Sequence, residues 1–352
     1  MSVALSLGSL LKIVFDYGLS KTELLGITLC IMVIHLVLNC RYLNVLSWLN
    51  QLNVFWSCAG LFLVVLLLSF VTKQHQDPLW VFTHFENQTG FENPYYVFVL
   101  GMVGATYALF GAEGSAALTE ETENASIAAP IAIVTSIITA WVFGCIYLLV
   151  LLFSIQDMDA VLTTAYNLPV TQVFMDALGT PLTIGFLLLM ILCQFCSGSA
   201  IFTICSRQVY NLARNGRLPY SPQLQKLNSH DVPGMAIFAT FLVACCVILP
   251  YPLSDHIFMI IVSAATISAC TSYSITLGCK LFIGTGDKKG RFHLGRFSKP
   301  VNIIGFIWAL CAVVAFALPS KWPITVSNAN YAGLALCVVV CLSCWMVSRT
   351  CH

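Results

Sequence analysis

The chemistry of this chain is to be sought where a carboxylate interrupts an apolar run. Residues Tyr107 to Pro130 read YALFGAEGSAALTEETENASIAAP. The stretch opens as the end of an apolar run and breaks at Gly111. It then places Glu113 where the run should still be in lipid. A glycine-containing break beside a carboxylate at membrane depth is costly unless the backbone lines a protein cavity or a water path. Phe110, Gly111, Ala112 and Glu113 therefore form a candidate binding turn. Gly111 and Gly114 weaken the helix, and an unwound turn offers backbone N–H and C=O groups to a ligand. Glu113 can pair with a cation or carry a proton. The competing reading is a glutamate already at the cytoplasmic interface, solvated and structural. Tyr107, taken alone, reads as packing rather than as a gate.

Other reactive side chains have plainer readings. His35 lies mid-span in MVIHLVL and is expected to hydrogen-bond a neighbouring helix rather than relay protons. Gln194, Ser197 and Ser199 could line a polar path, but such residues more often bond across helices, with Gly198 and Ala200 allowing close approach. The Ser/Thr-rich segment 263–274 carries the same two readings. Glu120, Glu121 and Glu123 suit the positive end of a helix dipole better than a metal. Gly284-Thr-Gly286-Asp287 matches an intramembrane aspartyl protease pattern, with Asp16 as a second aspartate. The basic residues after Asp287 put it in a solvated loop, whereas a protease dyad needs two carboxylates sharing one site. Nucleotide-binding and zinc-protease motifs are missing, so an enzyme is not expected. Of 16 cysteines, most lie inside apolar runs as small hydrophobes. The Cys193–Cys196 pair sits mid-membrane without a second pair or a histidine cluster, so no zinc site is expected.

The elements that must hold these residues are membrane helices. The 352 residues are 59% hydrophobic and only 9% charged, against about 25% charged in soluble domains. Apolar runs fall at about 2–15, 23–40, 54–72, 96–112, 131–154, 183–206, 233–250, 256–283, 301–319 and 328–347. All but the first are long enough to cross a bilayer. Strand-like alternation is lacking, which argues against an outer-membrane barrel. The expectation is an all-α polytopic membrane protein in one transmembrane domain over residues 1–352, with about nine full spans and a partial N-terminal helix. The LPVTQVFMDAL stretch predicts a short interfacial helix. The helix after residue 183 should run past the membrane to Arg214 and end at Gly216, with Pro219 and Pro222 barring a restart.

Charge sets the orientation. If the spans alternate, Arg41, Arg207, Arg214, Arg217, Lys226, Lys280, Lys288, Lys289, Arg291, Arg296, Lys299 and Arg349 share one face: twelve of the 16 basic residues. The positive-inside rule makes that face, and the C-terminus, cytoplasmic. The 73–95 connection is then outside, and its Asn87-Gln-Thr89 is a glycosylation acceptor pattern. Asn124-Ala-Ser126, a second such pattern, falls inside and should be unused. A net charge of +1 gives no basis for a nucleic-acid partner; the lipid bilayer is the partner that composition implies.

Three segments resemble a known family. FGAEGSAALTEETENASIAAP is similar to the sixth-helix signature of the amino acid–polyamine–organocation permeases, and SRQVYNLARNGRLPYSP to the end of their eighth helix. GRFHLGRFSKPVNIIGFIW with FALPSKWPITVSNANYA resembles the eleventh helix and following loop of the fungal amino acid/choline permeases. That group includes transporters of γ-aminobutyrate, choline and biotin precursors. The resemblance covers nearly the whole chain. It implies a LeuT-like inverted-repeat fold and alternating access about a midplane site. It implies secondary transport of an amino acid or small amine, coupled to a cation, most simply a proton, with no cofactor. In that frame Phe110, Gly111, Ala112 and Glu113 form the sixth-helix break, and Tyr107 takes the place of an aromatic gate. Two departures bear on the substrate: many fungal relatives have Asp where Glu113 stands and His where Ala117 stands. Residues 1–15 match only the later half of the third helix. On this resemblance the first two helices and half of the third are lacking, and the chain is expected not to transport alone. A non-transporting nutrient sensor or remnant is the alternative. A plasma or vacuolar membrane is the expected location.

Overall fold

The computed structural model describes residues 1–119, 122–228, 232–253, 256–284, 291–292, 294–319, 321–324, 330, 331, 333, 337, 340 and 341. Fourteen α-helices and no strand occur among them. In chain order they are α1 (Ser2–Phe15), α2 (Lys21–Arg41), α3 (Leu43–Val71), α4 (Pro78–Thr83), α5 (Pro94–Ala108), α6 (Gly114–Ala117) and α7 (Ala125–Ser154). There follow α8 (Met158–Leu162), α9 (Pro169–Leu178), α10 (Thr180–Arg214), α11 (Ser221–Leu224), α12 (Gly234–Ile248), α13 (His256–Phe282) and α14 (Ser298–Phe316). Seven of the described helices are long and apolar enough to cross a membrane: α2, α3, α7, α10, α12, α13 and α14. The protein is thus an all-α polytopic membrane protein. The expected span at 328–347 lies mostly outside the described residues, as does Asp287.

Two compact units divide the chain. The first comprises Met1–Phe85, Thr139–Gly216 and Tyr220–Pro252; the second comprises Glu86–Ile138, Arg217–Pro219 and Leu253–His352.

The first unit is built round α10, which packs on α1, α2, α3, α9 and α12. At 35 residues it is about 52 Å long, well beyond a hydrocarbon core of about 30 Å. Side chains do not associate in lipid for hydrophobic reasons, so small residues and polar bonds must hold the helices. Both devices are present. A Cβ on Gly60 would meet Leu189 at 2.4 Å, and one on Gly198 would meet the His35 ring at 2.9 Å. Ser6 Oγ of α1 donates to Gln194 Oε1 at 2.9 Å, and Asn53 Nδ2 of α3 to Ser197 Oγ at 3.1 Å. Thr203 Oγ1 donates to Asn39 Oδ1 of α2 at 2.6 Å. Gln194, Ser197 and Thr203 thus each bond a different neighbour. His35 packs its ring against Phe195 with centroids 4.7 Å apart and planes tilted at 50°, and its Nε2 has no hydrogen-bond partner among the described residues.

The predicted short helix is α9, and it is packed rather than loose. Phe174, Ala177 and Leu178 are buried with Val64 and Leu68 of α3 and Phe186 of α10. α10 ends as read: Gly216 takes φ +66, and its N–H donates to the Ala213 carbonyl at 2.9 Å. The chain does restart, however, as α11, with Pro222 in its first turn. Proline lacks only a hydrogen that the first turn leaves unbonded, so it is tolerated there.

In the second unit α13 and α14 pack together, and α5 leans on both. Ile267 and Cys270 of α13 and Ala312 and Phe316 of α14 are buried around one contact, joined by Phe110. The segment after α14 is tied to the segment before α5. Trp322 N–H donates to the Thr89 carbonyl at 2.8 Å, and Tyr96 Oη to the Pro319 carbonyl at 2.7 Å. Phe91 packs its ring on Tyr96 at 4.4 Å. These contacts hold the start of α5 against the segment after α14.

Candidate functional site

α5 starts cleanly. Asn93 caps it, its Oδ1 accepting from the N–H groups of Tyr95 at 3.0 Å and Tyr96 at 3.4 Å, and Pro94 opens its first turn. It stops at Ala108, three residues before the glycine that marks the break in the sequence. Residues 109–113 are turns. Gly111 has φ +105, a backbone that L side chains rarely adopt, so glycine is required for the reversal. Short-range bonds then rebuild a helix: Gly114 N–H donates to the Gly111 carbonyl at 3.0 Å and Ala116 N–H to the Glu113 carbonyl at 2.8 Å. That helix, α6, lasts four residues.

Glu113 turns back on the break. Its Oε2 accepts from the Gly111 N–H at 3.0 Å. The Tyr273 hydroxyl of α13 lies within interaction range of the same carboxylate. Phe110 and Tyr273 stack, with ring centroids 6.1 Å apart and planes at 30°. A carboxylate and two aromatic rings, one of them a phenol, therefore meet at an unwound turn. This set suits a small organic cation: the carboxylate supplies the charge, and the ring faces attract an ammonium group.

Of the five residues proposed for the site, Phe110, Gly111, Ala112 and Glu113 form the turn. Tyr107 lies in the last turn of α5, with 48% of its surface exposed, and its carbonyl accepts from the N–H groups of Leu109 and Phe110. Tyr273 is the residue that reading the sequence missed. It stands inside the segment 263–274, whose hydroxyls bond backwards within α13: Thr266 to Val262, Thr271 to Ile267 and Ser274 to Cys270. Those groups satisfy themselves, and the tyrosine among them reaches the carboxylate. Glu120 and Glu121 lie outside the described residues, and Glu123 is exposed ahead of α7. Asn87 is exposed in the connection before α5.

A cavity of about 230 Å³ in the first unit competes for attention. Trp56, Tyr147, Phe174, Phe186 and Met190 contribute to its wall, and no charged side chain does. It has nothing to neutralise an ion, whereas the turn at Glu113 does.

The sequence model of the amino acid permeases matches residues 1–342. The chain belongs to the amino acid permease family. Among the family's curated proteins, an amino-acid permease BAT1 homolog of Oryza sativa subsp. japonica is 30% identical over 378 residues, covering 99% of this chain and 71% of that protein. A GABA-specific permease of Saccharomyces cerevisiae is 28% identical over 334 residues, covering 90% of this chain and 57% of its own length. A choline transporter of the same yeast is 28% identical over 352 residues, covering 96% and 61%. This chain thus spans less than two thirds of either yeast relative. Family membership agrees with the resemblance carried by the three segments of the sequence.

Proposed function

We propose that this protein takes part in secondary transport of a small amine or amino acid, with Glu113 as the group that answers the substrate's positive charge. The observation that carries this reading is the meeting of Glu113, Phe110 and Tyr273 at the Gly111 turn, in a chain of the permease family. A substrate ammonium would lie against the two rings and displace or share the hydrogen bond from the Gly111 N–H. The backbone groups of residues 110–112 would meet its polar end. Tyr107, one helical turn away, would close over the site. Movement would follow alternating access in an inverted-repeat frame, coupled to a cation that we take to be the proton. The segregation of basic residues supports a cytoplasmic C-terminus, and a plasma or vacuolar membrane is the location to test. The names of the yeast relatives support γ-aminobutyrate and choline as the first substrates to test.

The test is binding before transport. The purified chain in lipid nanodiscs should bind one of γ-aminobutyrate, choline or a panel of amino acids saturably. Removing a charged hydrogen-bonding partner costs about 1.5–3 kcal/mol, or roughly 10- to 150-fold in affinity. Glu113→Gln should weaken binding by that factor without changing thermal stability. Uptake into vesicles against a proton gradient then tests transport itself. Unaltered affinity in Glu113→Gln would move the site elsewhere.

A further inference from the structure

We infer that Asn87 is an attachment site for an N-linked glycan and that the glycan marks the outer face of the protein. The chain holds two acceptor sequences, Asn87-Gln-Thr89 and Asn124-Ala-Ser126. Alternation of the spans, as the basic residues suggest, would put them on opposite sides of the membrane. The first is bound to the far end of α14, through the Trp322 N–H on the Thr89 carbonyl at 2.8 Å. The near end of α14 carries Arg296 and Lys299, and α13 ends at that same side with Lys280. Asn87 therefore lies across the membrane from these cations, on the side that the positive-inside rule makes external. α5 carries the chain away from that side. Asn124 stands immediately before α7, the next helix long and apolar enough to span.

The local geometry leaves room for the sugar. Asn87 is exposed, and its Oδ1 accepts from the Thr89 N–H at 3.0 Å and from the Thr89 Oγ1 at 2.8 Å. Its Nδ2 donates one hydrogen to the Phe91 carbonyl at 2.7 Å. A glycosylated asparagine keeps one of its two Nδ2 hydrogens, so this bond survives modification. In the transfer, Nδ2 attacks C1 of an oligosaccharide carried on a polyprenyl diphosphate. The new bond is Nδ2–C1, the C1–O bond to the diphosphate breaks with its electron pair leaving on oxygen, and one Nδ2 proton is lost to a base. Asn87 would then carry the glycan on a loop already pinned by Trp322 and Tyr96.

The inference rests on the proposed orientation and is independent of transport, so a silent uptake assay leaves it standing. The chain is expressed in yeast membranes and treated with peptide-N-glycosidase. One glycan step in gel mobility should disappear on treatment, and peptide mass spectrometry should find the converted residue at position 87. Asn87→Gln and Gln88→Pro should each abolish the step, because proline at the middle position blocks acceptance. Thr89→Ser should retain it, which guards against a variant that merely fails to insert. Asn124→Gln should leave it unchanged. An unmodified wild-type chain, or a glycan on Asn124, overturns the inference; the second result also inverts the orientation.

Discussion

Glu113 and Tyr273 show how unevenly a site is written in a sequence. A carboxylate inside an apolar run is conspicuous because lipid penalises it by about 2.5–3.5 kcal/mol on insertion scales. A glycine two residues before it, Gly111, sharpens the signal. Tyr273 has no such mark: a tyrosine in a transmembrane segment is ordinary, and 160 residues separate it from its partner. Only packing of α13 beside the break brings them together. Tyr273→Phe keeps the stack on Phe110 and removes the hydroxyl. It should weaken amine binding by roughly 2- to 12-fold, as loss of about 0.5–1.5 kcal/mol implies, with thermal stability unchanged. An equal loss of stability and affinity would make the tyrosine structural only.

Among the helices, existence was easier to read than ending. Hydropathy located α2, α3, α7, α10, α12, α13 and α14 because lipid selects one kind of residue over about 20 positions. The stop of α5 at Ala108 was not legible, since the turn bonds of Leu109 and Phe110 precede the glycine that forces the reversal. α11 was misread because proline breaks helix interiors but not first turns. The polar stripe of α10 was read correctly as cross-helix bonding at Gln194 and Ser197, and Gly198 was read correctly as a point of close approach. That contact predicts a specific defect. Gly198→Val places a branched side chain where a single Cβ already meets His35 at 2.9 Å. Overpacking of this kind costs about 1–3 kcal/mol, and a thermal melt in detergent should fall accordingly. Thr203→Val should cost less, about 0.6 and at most about 1.7 kcal/mol, the measured range for hydrogen bonds between membrane helices.

At the scale of the molecule, membrane character is more legible than packing. If the spans alternate, twelve basic residues share one face, a pattern that supports an orientation no single residue could. The division into two units could not be read, because apolar helices look alike whichever neighbour they choose. The orientation predicts that a cysteine at position 87 reacts with an impermeant maleimide added outside intact cells. A cysteine at position 288 should react only after permeabilisation. External labelling at 288 would reverse every assignment of inside and outside made above.

The turn at Gly111 has a handedness. Nothing lies within 4 Å of a Cβ built there, so its φ of +105 excludes ordinary residues by torsion and not by crowding. Mirror-image amino acids have the opposite preference, since the sterics that forbid positive φ to L-residues permit it to their enantiomers. Gly111→Ala should therefore strain the turn by about 1–3 kcal/mol, and Gly111→Leu should abolish substrate binding while leaving membrane insertion intact. A D-alanine introduced at the same position by semisynthesis should keep both the turn and the binding. Two methyl groups of identical size and opposite chirality would then give opposite results, and space-filling alone could not account for the difference.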